Sequence, residues 1–280
     1  MNRLEAHRLL FARLVTANAG VPAGTGARLV DAFASTPRER FVGAGPWRVF
    51  TRAGYIETPS DDPAFLYQDT VIALDSEKQL NNGQPTLHAA CLSALAVEEG
   101  DSVVHVGAGT GYYSAILSIL AGASGSVAAC EIDAALAVRA AANLGDYATV
   151  TVHHRSGADG KIPACDAIYV NAGATDPLDL WLDALRPGGR LLLPLTPPQG
   201  AGGTLLVTRA AAGALDARFV CGAAFTPCVG ARDDETGQRL KEAFQRGGME
   251  RVRSLRRGTS PDGTCWCDGR NWWLSTAPAS

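Results

Sequence analysis

The stretch VVHVGAGTGYYSAIL, residues 103–117, decides the fold. Residues 103–106 read as a buried strand, glycines alternate through 107–111, and an apolar helix opens at Tyr112. On the N-terminal side, Pro85 can open a helix that ends before Gly100-Asp101. On the C-terminal side come a strand at 127–130 ending at Glu131, a helix at 133–144, and strands at 150–153 and 166–170. A helix at 178–185, stopped by Pro187-Gly188-Gly189, precedes a strand at 190–195. Strand–helix alternation of this kind predicts a parallel, doubly wound α/β sheet.

In such a sheet the ligand crevice lies at the carboxyl ends of the strands. Glycine serves there because the main chain must bend sharply and a ligand must approach it closely. Glu131 ends the next strand, 20 residues after Gly111. A carboxylate at that place can accept both hydrogen bonds of a ribose diol, a feature shared by nicotinamide dinucleotides and S-adenosylmethionine. The dinucleotide fingerprint is G-x-G-x-x-G, whereas Gly107, Gly109 and Gly111 form G-x-G-x-G and residue 112 is tyrosine. S-adenosylmethionine carries no phosphate, and the spacing suits it better.

The flanks differ from this core. Residues 3–18 have helical periodicity, with Leu4, Leu9, Leu10, Leu14 and Val15 expected on one side, and a second helix is expected over 25–34. Residues 43–83 are rich in Gly, Pro, Asp and Asn and read as a structured cap. After Pro197-Pro198, antiparallel strands are expected at 204–209 and 217–225, a helix at 234–246, and strands at 249–256 and 264–274, the last a hairpin about Asp268-Gly269. The expected division is 1–84, an N-terminal helical and substrate-side cap; 85–210, the cofactor-binding core; and 211–280, a C-terminal α+β extension.

Of the 280 residues, 46% are hydrophobic and 19% charged, a globular balance, and the net charge of -3 argues against a nucleic-acid partner. The local basic run from Arg239 to Arg257 reads as a solvated face. Seven scattered cysteines suggest reduced, buried thiols. Cys265 and Cys267 would face one side of a strand, but no second Cys/His pair has zinc-site spacing, so no metal is expected. Arg3, Glu5, His7, Arg8 and Arg13 interrupt the N-terminal apolar residues, and no segment is apolar enough for a bilayer, so a cytoplasmic protein without a membrane partner is expected.

The segments HVGAGTGYYSAIL, ACEID, YVNAGA and LRPGGRLLLPL, with PRERFV near the start and NNGQP before the first sheet strand, resemble the protein-L-isoaspartate O-methyltransferase family over residues 30–196. The resemblance implies a Rossmann-like, seven-stranded methyltransferase sheet that binds S-adenosyl-L-methionine. It implies that Gly107, Ala108, Gly109, Thr110 and Gly111 line the methionine part, with Tyr112 and Asn171 close by. Glu131 would hold the ribose, and Ile132 would pack on the adenine. The family's Gly-Asp-Gly turn falls near Arg155-Ser156-Gly157; Ser156 replaces its aspartate, and Asp159 is close enough to substitute. The family also carries a serine before a Gln-Pro pair, beside the substrate carboxylate; here Gly83 precedes Gln84-Pro85.

The acceptor side is therefore expected to consist of Asn81, Asn82, Gly83 and Gln84, with His88 behind them. Asn amides can orient a carboxylate without acting as a base. Without the serine hydroxyl, weak activity on isoaspartyl peptides is expected. His105 reads as structural, and the tryptophans at 266, 272 and 273 as core or hairpin residues. The leading expectation is carboxyl O-methylation of a peptide or protein acceptor. The alternatives are methylation of a small-molecule biosynthetic intermediate and a non-catalytic, cofactor-binding interaction protein.

Overall fold

The computed structural model describes residues 1–279. In chain order the N-terminal part contains α1 (Arg3–Asn18), α2 (Ala23–Ser35), α3 (Glu39–Val42), a hairpin of β1 (Arg48–Thr51) and β2 (Gly54–Glu57), a second hairpin of β3 (Ala73–Asp75) and β4 (Leu80–Asn81), and α4 (Pro85–Leu95). The central part contains β5 (Ser102–Val106), α5 (Tyr112–Ala121), β6 (Ser126–Glu131), α6 (Ala134–Asn143), β7 (Val150–His154), β8 (Cys165–Val170), α7 (Asp179–Ala184) and β9 (Leu185–Leu195). The remainder contains β10 (Gly202–Arg209), β11 (Leu215–Ala223), α8 (Asp234–Arg246), β12 (Ser254–Arg257), β13 (Cys265–Asp268) and β14 (Trp272–Ser275).

Two compact units share these elements. One comprises Met1–Gly100 with Ala108–Arg155; the other comprises Asp101–Gly107 with the chain from Ser156 onward. In the first unit β6 and β7 pair in parallel, and α1 packs against α2 and α4. Helix α1 begins on a capping box, in which the Glu5 N–H donates to Asn2 Oδ1 and the Asn2 N–H to Glu5 Oε2. Its buried face is Phe11, Ala12, Val15 and Thr16, whereas Leu10 and Leu14 are more than half exposed. The expected face is thus rotated, because Phe11 inserts against Phe33 and Tyr67 and sets the helix orientation. The cap region is built on Val42, Trp47, Leu66 and Ile72, with Val49 and Leu74 packed on them.

In the second unit β5, β8 and β9 run parallel, and β10, β11, β12, β14 and β13 continue the same sheet antiparallel. Strands β12–β14 extend this sheet beyond β11. Strand β9 runs through Pro187-Gly188-Gly189 rather than starting after it, and the sequence 249–256 forms a 3-10 turn (Met249–Arg251) before β12. Cys265 and Cys267 do not share a strand face. A bulge between them changes the register, and Trp266 and Cys267 are both buried.

Arg251 and Arg253 of the 239–257 run are exposed, as a solvated face requires, but other arginines of the run are engaged. Arg239 donates to the Asp268 carbonyl, Arg246 to the Trp266 carbonyl, and Arg257 pairs with Asp179 and Asp183. The three tryptophans are buried, and their indole N–H groups donate to Gly247, Asp176 and Thr259. All seven cysteines are free thiols, and no cluster among the described residues could hold a metal ion. No helix among the described residues is long and apolar enough to cross a membrane.

Candidate active site

The first unit brings together three sequence segments that are far apart in the chain: the glycine loop, the end of β6 and the segment 81–88. Gly109 and Gly111 have φ of 58° and 97°, the left-handed region where a Cβ is disfavoured. A Cβ on Gly111 would lie 2.6 Å from Leu144 Cδ1, so this glycine is also demanded by packing. A Cβ on Gly109 would meet only Leu74, at 3.8 Å, which places β3 beside the loop. The Thr110 carbonyl accepts from Asn143 Nδ2 at 2.9 Å, and the Ala108 N–H donates to the Cys130 carbonyl at 3.1 Å. The loop is thereby fastened to both β6 and α6.

Glu131 is 6% exposed. Its Oε2 accepts the Gly109 N–H at 2.7 Å and its Oε1 the Asp133 N–H at 2.9 Å. A carboxylate has about four lone-pair sites, so acceptor capacity remains for a diol. Beside it Ile132, an apolar side chain, stands 49% exposed, as a platform for a flat apolar group would. These observations fit a ribose with an adjoining base. Lys78, in the turn between β3 and β4, bonds Asp133 Oδ2 at 2.5 Å and ties that hairpin to the N-terminus of α6.

Burial raises the Glu131 carboxyl above its ordinary value near 4.5, against the lowering effect of the Asp133 and Gly109 N–H groups. Accepting two hydroxyl protons requires the ionised form. If Glu131 holds a ribose diol, cofactor affinity is expected to be full at neutral pH and to fall as pH drops through the raised value, a window lying above that of an ordinary glutamate. Calorimetric titration with S-adenosylhomocysteine between pH 4 and 7.5 checks this; the decline should vanish in Glu131→Gln.

Among the acceptor-side residues, the asparagines are already engaged. Asn82, buried, accepts the Ile72 N–H through Oδ1 at 2.8 Å, and Asn81 Oδ1 accepts the Gly83 N–H at 2.9 Å. Gln84 stands at the N-cap position of α4 without a side-chain capping bond, and its Nε2 donates to Asp69 Oδ2 at 3.1 Å. His88 is buried and stacks on Tyr113 with ring centroids 3.7 Å apart. Gly83 has φ 70°, and a Cβ there would lie 2.1 Å from His88 Nε2. The imidazole therefore occupies the room that a side chain at position 83 would need. Tyr112 points into the interior, against Phe33, Phe41 and Tyr113, and its hydroxyl has no partner.

The second unit holds the other expected cofactor residues. Gly107 has φ 75°, and a Cβ there would sit 3.4 Å from the Asn171 main chain. Asn171 Nδ2 donates to His105 Nε2 at 2.8 Å, while its buried Oδ1 has no partner. Burial lowers the His105 pKa to about 3, so the ring is neutral and can accept that proton. Ser156 Oγ accepts the Ala158 N–H at 3.0 Å. The Gly157 carbonyl accepts from the Trp181 indole at 2.7 Å, and a Cβ on Gly157 would lie 2.7 Å from Val106. Asp159 is exposed.

Comparison with known proteins gives a consistent result. The family model described as Protein-L-isoaspartate(D-aspartate) O-methyltransferase matches residues 23–233. The chain is 32% identical to the protein-L-isoaspartate O-methyltransferase of Rhodopseudomonas palustris, over 66% of this chain and 83% of that one. It is 28% identical to the corresponding protein of Brucella anthropi, over 72% and 86%. Among solved structures, a Plasmodium falciparum methyltransferase in complex with S-adenosyl-L-homocysteine superposes with a TM-score of 0.61 at 16% identity, covering 78% of this chain and 98% of that one, a likeness that shows the fold.

Proposed function

We propose, since this chain belongs to the protein-L-isoaspartate(D-aspartate) O-methyltransferase family, that its acceptor is a side-chain carboxylate of the isoaspartyl type in a peptide or protein. The chain is an S-adenosylmethionine-dependent O-methyltransferase on a Rossmann-like α/β fold. When bound, S-adenosylmethionine supplies an electrophilic methyl group on a sulfonium. Glu131 would hold its ribose, Ile132 its adenine, and the main chain of Gly107–Gly111 its amino-acid part.

The protein's task is alignment and exclusion of water, and orientation can contribute about 7–11 kcal/mol to such a displacement. A carboxylate acceptor, with a pKa of about 4, is ionised at neutral pH and needs no base. The segment Asn81–Gln84 would position it, through the amide N–H donors left after Asn81 and Asn82 have used their carbonyl oxygens locally.

The observation that carries this reading is the contact of Glu131 with the glycine loop, beside the hairpin that delivers Asn81. The test is methyl incorporation into a synthetic isoaspartyl peptide and its aspartyl counterpart, with base lability of the product distinguishing an ester. A base-stable product, or incorporation into neither peptide, would overturn it. The filled space at Gly83 favours a second reading, that the acceptor is a small carboxylic acid with no flanking peptide. It requires turnover of such an acid with no turnover of the peptides.

A further inference from the structure

Arg38 is fully buried, yet its guanidinium is spent on main-chain carbonyls. Nη1 donates to the Leu66 and Gln68 oxygens at 2.6 and 2.8 Å, and Nη2 to the Thr70 oxygen at 3.2 Å. Three alternate carbonyls of one loop thus converge on a single cation. Carbonyls aimed inward in this way are stable only while that donor is present. The same loop is braced from its other side. The Tyr67 hydroxyl donates to Glu39 and accepts from Arg8 Nε, and Arg8 pairs with Glu39 at 3.2 Å.

The loop presents Asp69 to the start of α4. Asp69 Oδ1 accepts the Thr86 N–H at 2.8 Å, one of the helix-terminal amides that lack an intrahelical partner. Asp69 Oδ2 accepts from Gln84 Nε2. Away from the loop, the Arg38 guanidinium lies over the ring of Tyr112, 5.8 Å from its centroid, and over Phe11 at 5.1 Å. Tyr112 is the first residue of α5, directly after the glycine loop. One buried side chain therefore touches both the helix that follows the cofactor loop and the loop that holds the acceptor segment.

We propose that Arg38 is a positioning residue for the acceptor. It sets Gln84 and Thr86 against the start of α5, acting through the 66–70 loop and Asp69. The inference rests on the assignment of segment 81–88 to the acceptor side. It predicts that loss of Arg38 weakens acceptor use far more than cofactor binding, and that Arg38 and Asp69 act as one unit.

The experiment is a double-mutant cycle of Arg38→Lys and Asp69→Ala in the full chain. Lysine retains the charge and three N–H donors, but on a single nitrogen, so it cannot occupy the Nη1 and Nη2 positions of the planar fork at once. Two quantities are read: KM for the isoaspartyl peptide, and amide hydrogen exchange across residues 83–88. Each single variant is expected to raise KM about tenfold or more, the effect of losing a buried hydrogen bond or two, and to lose protection at the Thr86 amide. Affinity for S-adenosylhomocysteine should stay within about threefold, and the double variant should be no worse than the weaker single one.

Additive effects, protection lost evenly over the whole chain, or a wild-type Asp69→Ala would each overturn the proposal. If Arg38→Lys does not fold, Asp69→Ala and Asp69→Asn decide it, with Asn retaining the Thr86 bond and so restoring its protection. If the wild-type protein does not methylate the peptide, the acceptor reading falls, while the exchange measurement still judges Arg38.

Discussion

Gly83→Ser is expected to reduce methyl transfer by about a hundredfold or more, the cost that misplacement of a site by around 1 Å can carry. Two effects act together. At φ 70° any side chain is strained, by about 1–3 kcal/mol. The new Cβ would also lie 2.1 Å from His88 Nε2 and 2.8 Å from its Cδ2. The imidazole cannot retreat toward Tyr113, on which it already stacks at 3.7 Å. The segment Asn81–Gln84 must therefore move, although it is held by the Asn82–Ile72 pair and by Asp69.

Gly83→Ala should behave like Gly83→Ser, because the obstruction comes from the Cβ and not from the hydroxyl. Adding His88→Ala to Gly83→Ser removes the overlap and should restore a measurable part of the activity. Methyl incorporation by variants of verified fold checks all three. A fully active Gly83→Ser would show that the ring gives way. The same geometry bears on the isoaspartyl question: the hydroxyl that the family resemblance places before Gln-Pro has no room here while His88 keeps its position.

Glu131→Ala is expected to weaken binding of S-adenosylhomocysteine by about a hundredfold or more. Each hydrogen bond to a charged acceptor contributes about 1.5–3 kcal/mol, and a diol makes two. Stability should respond differently from affinity. Burial opposes ionisation of this carboxyl, so its removal relieves an unfavourable desolvation even as it frees the Gly109 and Asp133 N–H groups. A melting temperature changed by only a few degrees, beside a large loss in calorimetric affinity, is the expected pair of results. Unchanged affinity in the folded variant would remove Glu131 from the cofactor site.

The α/β core was legible because its signals are local. A strand, three alternating glycines and an acid 20 residues on follow from backbone geometry and from what a ribose needs, and each is written in contiguous residues. Helices α1, α2, α4 and α8 were legible for a similar reason, since periodicity and end residues such as Pro85 lie within a few positions of one another. Which face α1 buries was not legible. Leu10 and Leu14 are as apolar as Phe11, and the choice was made by rings from Phe33 and Tyr67, elsewhere in the chain.

The sequence by itself determined the fold class, the cofactor class and the glycine at position 83. Only the tertiary structure decided what that glycine means. A missing side chain reads as an empty space until the ring of His88 is seen to fill it. The roles of Asn82 and Arg38 were hidden in the same way: their partners are the main-chain groups of Ile72, Leu66, Gln68 and Thr70, which every residue type possesses and none advertises. Side-chain identity can be read along a chain. Which backbone oxygen a buried cation will meet is set by how the loop closes, and that exists only once the chain has folded.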